Sequence, residues 1–408
     1  MKKRLLFTIV LCLLVSFLTA CRQNQSSGGD DFNASSVSFL YAPCSIAATD
    51  QGFYFFYQYF LYYYDYSKKE TIPVCFKTNC RHHREEDPEK VTGCDAFMGM
   101  VNEPFVGFSN GRLYVTALNL ETNKIELLEM KEDGSDRKVI IDNCNGIDAC
   151  LMRIHRGTLY YPTSLQGLDG ASEKGVMAVS LEDKAHKEQI VFRTEKPGIS
   201  FTQILPVGNH VYIAYEKKIS GDNGSSYLYT IISHKISDQK NEIITEEDSY
   251  YLYGVQKNDI ILRKDGQYYC FKEKATHPDI QPYTSGISIF ANSKPDWNCH
   301  PDCIADEFTF FSCFDKSESV NDFVGELYMV GSDGAVACRI PDESWGVRGA
   351  QVIKIGGDEL FVKYAAHPEN ETILMIYRTE DLLQGIVQAT PILKKEEIKA
   401  TSYIIDIR

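Results

Sequence analysis

The chain alternates short apolar runs, rich in Tyr, Phe, Ile and Val, with turns rich in Gly, Asn and Asp, and one unit of that alternation recurs. A turn is followed by an apolar residue and then, usually, by an aromatic one. The unit reads Asp50-Gln51-Gly52-Phe53-Tyr54, Asn110-Gly111-Arg112-Leu113-Tyr114, Gly157-Thr158-Leu159-Tyr160 and Gly208-Asn209-His210-Val211-Tyr212. Weaker copies are Asn258-Asp259-Ile260-Ile261, Asp306-Glu307-Phe308-Thr309-Phe310 and Gly357-Asp358-Glu359-Leu360-Phe361. Their last positions lie 60, 46, 52, 49, 49 and 51 residues apart. Aromatic side chains pack well on pleated surfaces, and helical periodicity is nearly absent. A strand-rich repeat of about 40–50 residues is the signature of four-stranded propeller blades.

A blade buries its two faces only when neighbours stack on them, so such a ring must close to make a core. The pattern predicts an all-β chain with a single β-propeller over residues 37–408. Seven blades are expected from the seven copies, with six or eight as alternatives, and a β-sandwich or two smaller β domains is the competing architecture. Asp133-Gly134, Asp265-Gly266 and Asp333-Gly334 lie between apolar runs and predict hairpins with type I′ turns, which need positive φ at both central residues. Asp222-Asn223-Gly224 reads as a further hairpin tip. The strand-like segments 37–41 and 403–408 are expected to complete one blade together and close the ring.

The N-terminus follows a different pattern. Lys2, Lys3 and Arg4 precede an unbroken apolar run over residues 5–17, and the sequence then reads Leu18-Thr19-Ala20-Cys21. That is the basic start and apolar core of a secretory signal over residues 1–20. Leu-Thr-Ala-Cys resembles the bacterial lipobox, which implies that Cys21 takes a diacylglyceryl group with palmitate-type chains and becomes the mature N-terminus. Two acyl chains give stable membrane attachment where one does not. Residues 21–36, polar and rich in Ser, Gly and Asn, read as a flexible tether.

Charge supports attachment through lipid rather than through a basic surface. The whole chain carries a net charge of −14, and removal of residues 1–20 brings it near −17. Binding to nucleic acid, or to an anionic bilayer through a basic patch, is disfavoured. The expected location is the outer face of the cytoplasmic membrane.

The lipobox, the tether and the pattern Gly-x-Leu-Tyr, Leu-x-x-Met, Asp-Gly-Ser together resemble the β-propeller lipoproteins of Firmicutes, similar in style to TolB-like and DUF5050-type repeat proteins. The resemblance covers nearly the whole mature chain through weak motifs. It implies a fold and a cellular location and little about activity.

The longest interval between copies follows the first blade and carries a Cys/His-rich insertion. Cys75, Cys80, His82 and Cys94 are spaced to surround one tetrahedral ion, a closed Cys₃His set suited to structural zinc. His83 is the alternative nitrogen ligand; the competing arrangements are a disulfide between two of the thiols in an oxidising compartment and isolated apolar cysteines at strand ends beside solvated histidines. The charged residues 84–90 between them cannot form a core. Cys299, Cys303 and Cys313 form a second group, Cys144 and Cys150 a third, and Cys44, Cys270 and Cys338 read as buried core thiols.

No catalytic motif is present: Gly-x-Ser-x-Gly, His-Glu-x-x-His and a phosphate-binding Gly-rich loop are all lacking. The expected function is therefore a non-catalytic surface module for a glycan, a peptide or an envelope protein. The alternative is an extracytoplasmic enzyme on the same scaffold, such as a glycan lyase or hydrolase, with its site at a channel mouth. Trp297 and Trp345 are candidates to stack on a sugar ring.

Overall fold

The computed structural model describes residues 45–394 apart from 58, 83–86, 102–103, 167–171, 222–223, 257–258, 274–277, 295, 305–306, 316–325, 341–351, 356–359 and 365–371. These residues form seven four-stranded antiparallel sheets, each built from consecutive strands. They are the blades of a β-propeller, spanning residues 46–73, 106–141, 153–194, 199–248, 251–282, 297–340 and 352–394. The first strand of each blade contacts the first strand of the next from blade 1 through blade 7. Blades 1 and 7 meet as well: Thr71 Oγ1 donates to the Ile392 carbonyl at 2.5 Å.

The recurring turn-and-aromatic unit opens the second strand of every blade. Those strands begin at Gly52, Arg112, Thr158, His210, Asp259, Phe308 and Leu360. They are interior to the sheet and covered on both faces by neighbouring blades, so they read as continuous apolar runs rather than alternating ones. Phe53 to Phe56, Leu113 to Ala117 and Val211 to Tyr215 are buried without a break. The fourth strands lie at the rim and are largely exposed, as in Glu70–Pro73 and Lys240–Asp248.

The Tyr of the unit reaches the next blade. Tyr212 Oη donates to the Glu273 carbonyl at 2.9 Å, and Tyr54 Oη to Glu132 Oε2 at 3.4 Å. Asn110 Nδ2 likewise donates to Glu182 Oε1 at 3.3 Å. Each acceptor follows the third strand of the following blade, so the contacts recur at equivalent places around part of the ring.

Of the Asp-Gly turns, only Asp265-Gly266 has positive φ at both residues, at 50° and 78°, between the paired Lys264 and Gln267. At the other two only the glycine is left-handed, Gly134 at 84° and Gly334 at 86°. The type I′ expectation fails there because the aspartate is used differently. Asp133 Oδ1 accepts from the Ser135 amide and Asp333 Oδ1 from the Ala335 amide, both at 2.9 Å, which sets a wider turn.

Among the described residues three short α-helices stand among the strands, and their brevity hides them from periodicity. Gly286–Ser293 is capped by Ser285 and buries Ile287 and Phe290 between blades 5 and 6. Pro88–Thr92 lies in the insertion, and Thr379–Leu383 in blade 7. No helix among the described residues is long and apolar enough to cross a membrane. Residues 1–20 and 21–36, expected as leader and tether, Cys21, Cys44 and the segments 37–41 and 403–408 lie outside the described residues. The hairpin of blade 4 is paired down to Gly221 and Gly224, and the Asp222-Asn223 tip between them also lies outside.

Candidate metal centre

The insertion between blades 1 and 2 folds back onto blade 1 and brings its cysteines together. Cys75 follows the fourth strand of blade 1 after a single residue, Val74. Thr78-Asn79 turns the chain toward Cys80, with Asn79 at φ 69° and His82 at φ 55°. The return path is the helix Pro88–Thr92, which takes up residues 88–90 of the charged stretch before Cys94. Its start is set by Asp87, which accepts from the Glu89 amide at 3.1 Å, and by Pro88 in the first turn. Its end is set by Gly93, whose amide donates to the Glu89 carbonyl at 3.0 Å. This helix delivers Val91 and Cys94 to the interior, both buried.

Beyond Cys94 the backbone is pinned to blade 1. The Leu61 amide donates to the Ala96 carbonyl at 2.8 Å, and the Met98 amide to the Tyr59 carbonyl at 2.7 Å. Phe97 pairs with Phe60, their ring centroids 5.5 Å apart in an edge-on arrangement. One apolar cluster gathers Phe53 and Phe60 of blade 1, Val91, Cys94 and Phe97 of the insertion, and Ile376, Ile392 and Leu393 of blade 7.

The ligand atoms of Cys75, Cys80, His82 and Cys94 all lie within 4.8 Å of one another, so this cluster could hold a metal ion. Cys94 Sγ is 3.5 Å from His82 Nδ1. That is the edge expected of a tetrahedron with bonds of about 2.3 Å to sulfur and about 2.0 Å to nitrogen. Cys75, Cys80 and Cys94 stand as thiols in the structure. Burial pushes the Cys94 thiol well up, and the neighbouring Cys75 and Cys80 add to the shift. Such packing of sulfur against sulfur disfavours three thiolates unless a cation lies between them. His83, the alternative ligand, lies outside the described residues.

A second layer of charge surrounds the sulfurs. Cys75 Sγ donates to Asp95 Oδ2 at 3.7 Å. Lys77 Nζ bridges Asp95 Oδ1 at 3.1 Å and the Gly93 carbonyl at 2.5 Å. Arg137, from the blade 2 hairpin, donates Nη2 to the Asp95 carbonyl and Nε to the Gly134 carbonyl at 3.0 Å. Burial holds the Arg137 guanidinium below its usual value, opposed by Asp95 and by the Cys75 and Cys94 thiols. A divalent ion with three thiolates and a neutral imidazole retains one negative charge, and two nearby cations are placed to balance it and Asp95. Arg137 lies 42 residues from Asp95 in sequence, and spacing alone gives no hint of it.

The other cysteines belong to the fold. Cys144 is buried and Cys150 half-buried in one cluster between blades 2 and 3. Cys338 is buried as expected, whereas Cys270 is only half-buried. Trp297 is half-buried against the cluster between blades 5 and 6, with Lys294 Nζ over its ring, 4.8 Å from the centroid. Trp345 lies outside the described residues.

No family model matches the chain, and no curated protein matches it. Among solved structures, prolyl oligopeptidase B from Galerina marginata is similar at a TM-score of 0.50 and 12% identity, over 89% of this chain and 52% of that one. A prolyl endopeptidase gives 0.48 at 9% identity, over 93% of this chain and 52% of that one. The β-propeller domain of the Trilobed protease from Pyrococcus furiosus gives 0.47 at 11% identity, over 84% and 95%. The chain spans about half the length of the first two. At 12% identity the first of these bears on fold alone.

Proposed function

We propose that this protein is a non-catalytic binding module, a β-propeller held at the outer face of the cytoplasmic membrane by a lipid on Cys21 and braced by structural zinc in its first insertion. It engages an envelope or extracellular ligand of glycan, peptide or protein type. The observation that carries the reading is the closed Cys75, Cys80, His82 and Cys94 set. Four protein ligands saturate a tetrahedral ion and leave no position for substrate, so the ion holds the loop in place. Beside that rigid point, Phe76 and Ile72 remain 53% and 48% exposed, apolar surface that the core does not take up. The lipobox motif and the net negative charge support attachment through lipid.

Zinc analysis of the purified full chain under reducing conditions tests the centre. About one zinc per chain is expected, lost in Cys94→Ser and His82→Ala, and zinc at background level overturns it. For the anchor, Cys21→Ala is expected to leave the membrane fraction, and its retention there refutes lipid attachment. Binding is tested on arrays of envelope glycans, peptides and proteins. A signal weakened by Phe76→Ala supports the module, and no binding to any of the three classes refutes it.

A further inference from the structure

We propose that Cys299 and Cys313 are joined by a disulfide in the exported protein, fixing the first strand of blade 6 to its second. The two residues are direct partners in the antiparallel ladder between Trp297–Ile304 and Phe308–Asp315. Directly opposed residues project from the same face, with Cα atoms about 4.5–5.5 Å apart. A disulfide spans Cα separations of about 4.4–6.8 Å, so the register brings the two Cα atoms within its reach.

The surroundings agree with that register. Both sulfurs belong to one apolar cluster between blades 5 and 6, together with Tyr268, Phe290 and Phe311. Both face the Tyr268 phenol, whose pKa is pushed up to about 12, mainly by burial, with the two cysteines adding to the shift. Among the described residues, neither belongs to a group of three or more metal-type ligands. Two directly opposed sulfurs in an apolar interior suit a covalent bond, whereas the four-ligand set of the insertion suits an ion.

The inference rests on the export reading, because thiols are kept reduced in the cytosol. The oxidant is the disulfide of an exported dithiol oxidoreductase. One cysteine thiolate attacks that disulfide, and a mixed disulfide forms as one donor thiolate leaves. The second cysteine thiolate then displaces the remaining donor sulfur. The two protein thiols lose two protons and two electrons, and the donor cystine becomes two thiols. Cys313 is fully enclosed and Cys299 is 6% exposed, so the donor reaches them before blade 6 closes on blade 5. The bond therefore forms during folding and, once buried, resists reductant in the folded state.

Peptide mapping of the full chain from the membrane fraction tests this, after alkylation in denaturant without reductant. A linked 299–313 peptide is expected, along with its absence in Cys313→Ser, where Cys299 alkylates only after unfolding. Membrane-fraction protein in which both cysteines alkylate without reduction, or in which either is linked to Cys303, overturns the pairing and leaves export standing. Should the chain not be exported, refolding the purified protein in mixed oxidised and reduced glutathione decides. A 299–313 link there sustains the pairing while the export reading falls, and unlinked thiols overturn it.

Discussion

Replacing Gly134 by Ala probes how the blade 2 hairpin supports the metal centre. Gly134 sits at φ 84°, and a Cβ placed there would lie 2.8 Å from the Val74 carbonyl oxygen and 3.2 Å from Val74 Cγ1. Val74 immediately precedes Cys75, and its amide is tied to the Leu61 carbonyl at 2.9 Å, so the backbone cannot retreat freely. Gly111 supplies the control: its φ is 71°, and a Cβ would meet nothing within 4 Å. Left-handed backbone costs an alanine about 1–2 kcal/mol at either site. Overpacking adds about 1–3 kcal/mol at Gly134 only. Urea unfolding of the two variants should therefore place Gly134→Ala below Gly111→Ala by that difference. Gly134→Ala should also pass zinc faster to a chromogenic chelator. Equal unfolding midpoints and equal zinc release would refute the packing of this turn on the centre.

Other outcomes follow from the same contacts. Removing zinc with a chelator should lower the unfolding temperature, since binding at about a thousandfold excess over Kd stabilises by about 4 kcal/mol; an unchanged melting curve argues against a bound ion. Tyr212→Phe deletes the bond to the Glu273 carbonyl between blades 4 and 5 and should cost about 1 kcal/mol in urea unfolding, with no loss meaning that water already serves that carbonyl. Burial lowers the pKa of His234, partly opposed by its hydrogen bond to Asn241 at 2.9 Å. A depressed imidazole pKa means that the unfolded chain takes up the proton first. Stability is thus present above the unfolded value of about 6.5 and is lost as pH falls below it. His234→Gln should flatten that slope, and an unchanged slope would assign it to other groups.

The ring was legible where chemistry repeats. A turn followed by an apolar residue and an aromatic marks the second strand because that strand is enclosed on both faces, and the demand recurs in each blade. The Cys75, Cys80, His82 and Cys94 set was legible because its members are close in sequence. What lies around it was not. Lys77, Asp95 and Arg137 are ordinary surface residue types, and only the folded hairpin carries Arg137 across to the insertion. The helix Pro88–Thr92 did leave a trace, since Asp87-Pro88 is a helix-start pair, but five residues are too few to show a period. The Asp-Gly turns misled because the same dipeptide serves two geometries, chosen by whether the carboxylate accepts a nearby amide. The acids that meet the preceding blade carry no local signature beyond following a third strand.

The contact between Thr71 and Ile392 has a kinetic meaning. Each blade is assembled from neighbouring strands, so nearly all of the sheet hydrogen bonding is local and forms early. The meeting of blades 1 and 7 joins residues 321 positions apart. Chain-closure entropy for a loop of that length is about 5 kcal/mol, and no exchanged strand among the described residues helps to offset it. Annealing of this seam is thus the late, high-contact-order event of folding. Until it happens, the apolar flanks of the two blades stay open to solvent, to proteases and to other chains. Because Val91 and Cys94 join that seam's apolar cluster, ordering the insertion early would shorten the interval of exposure.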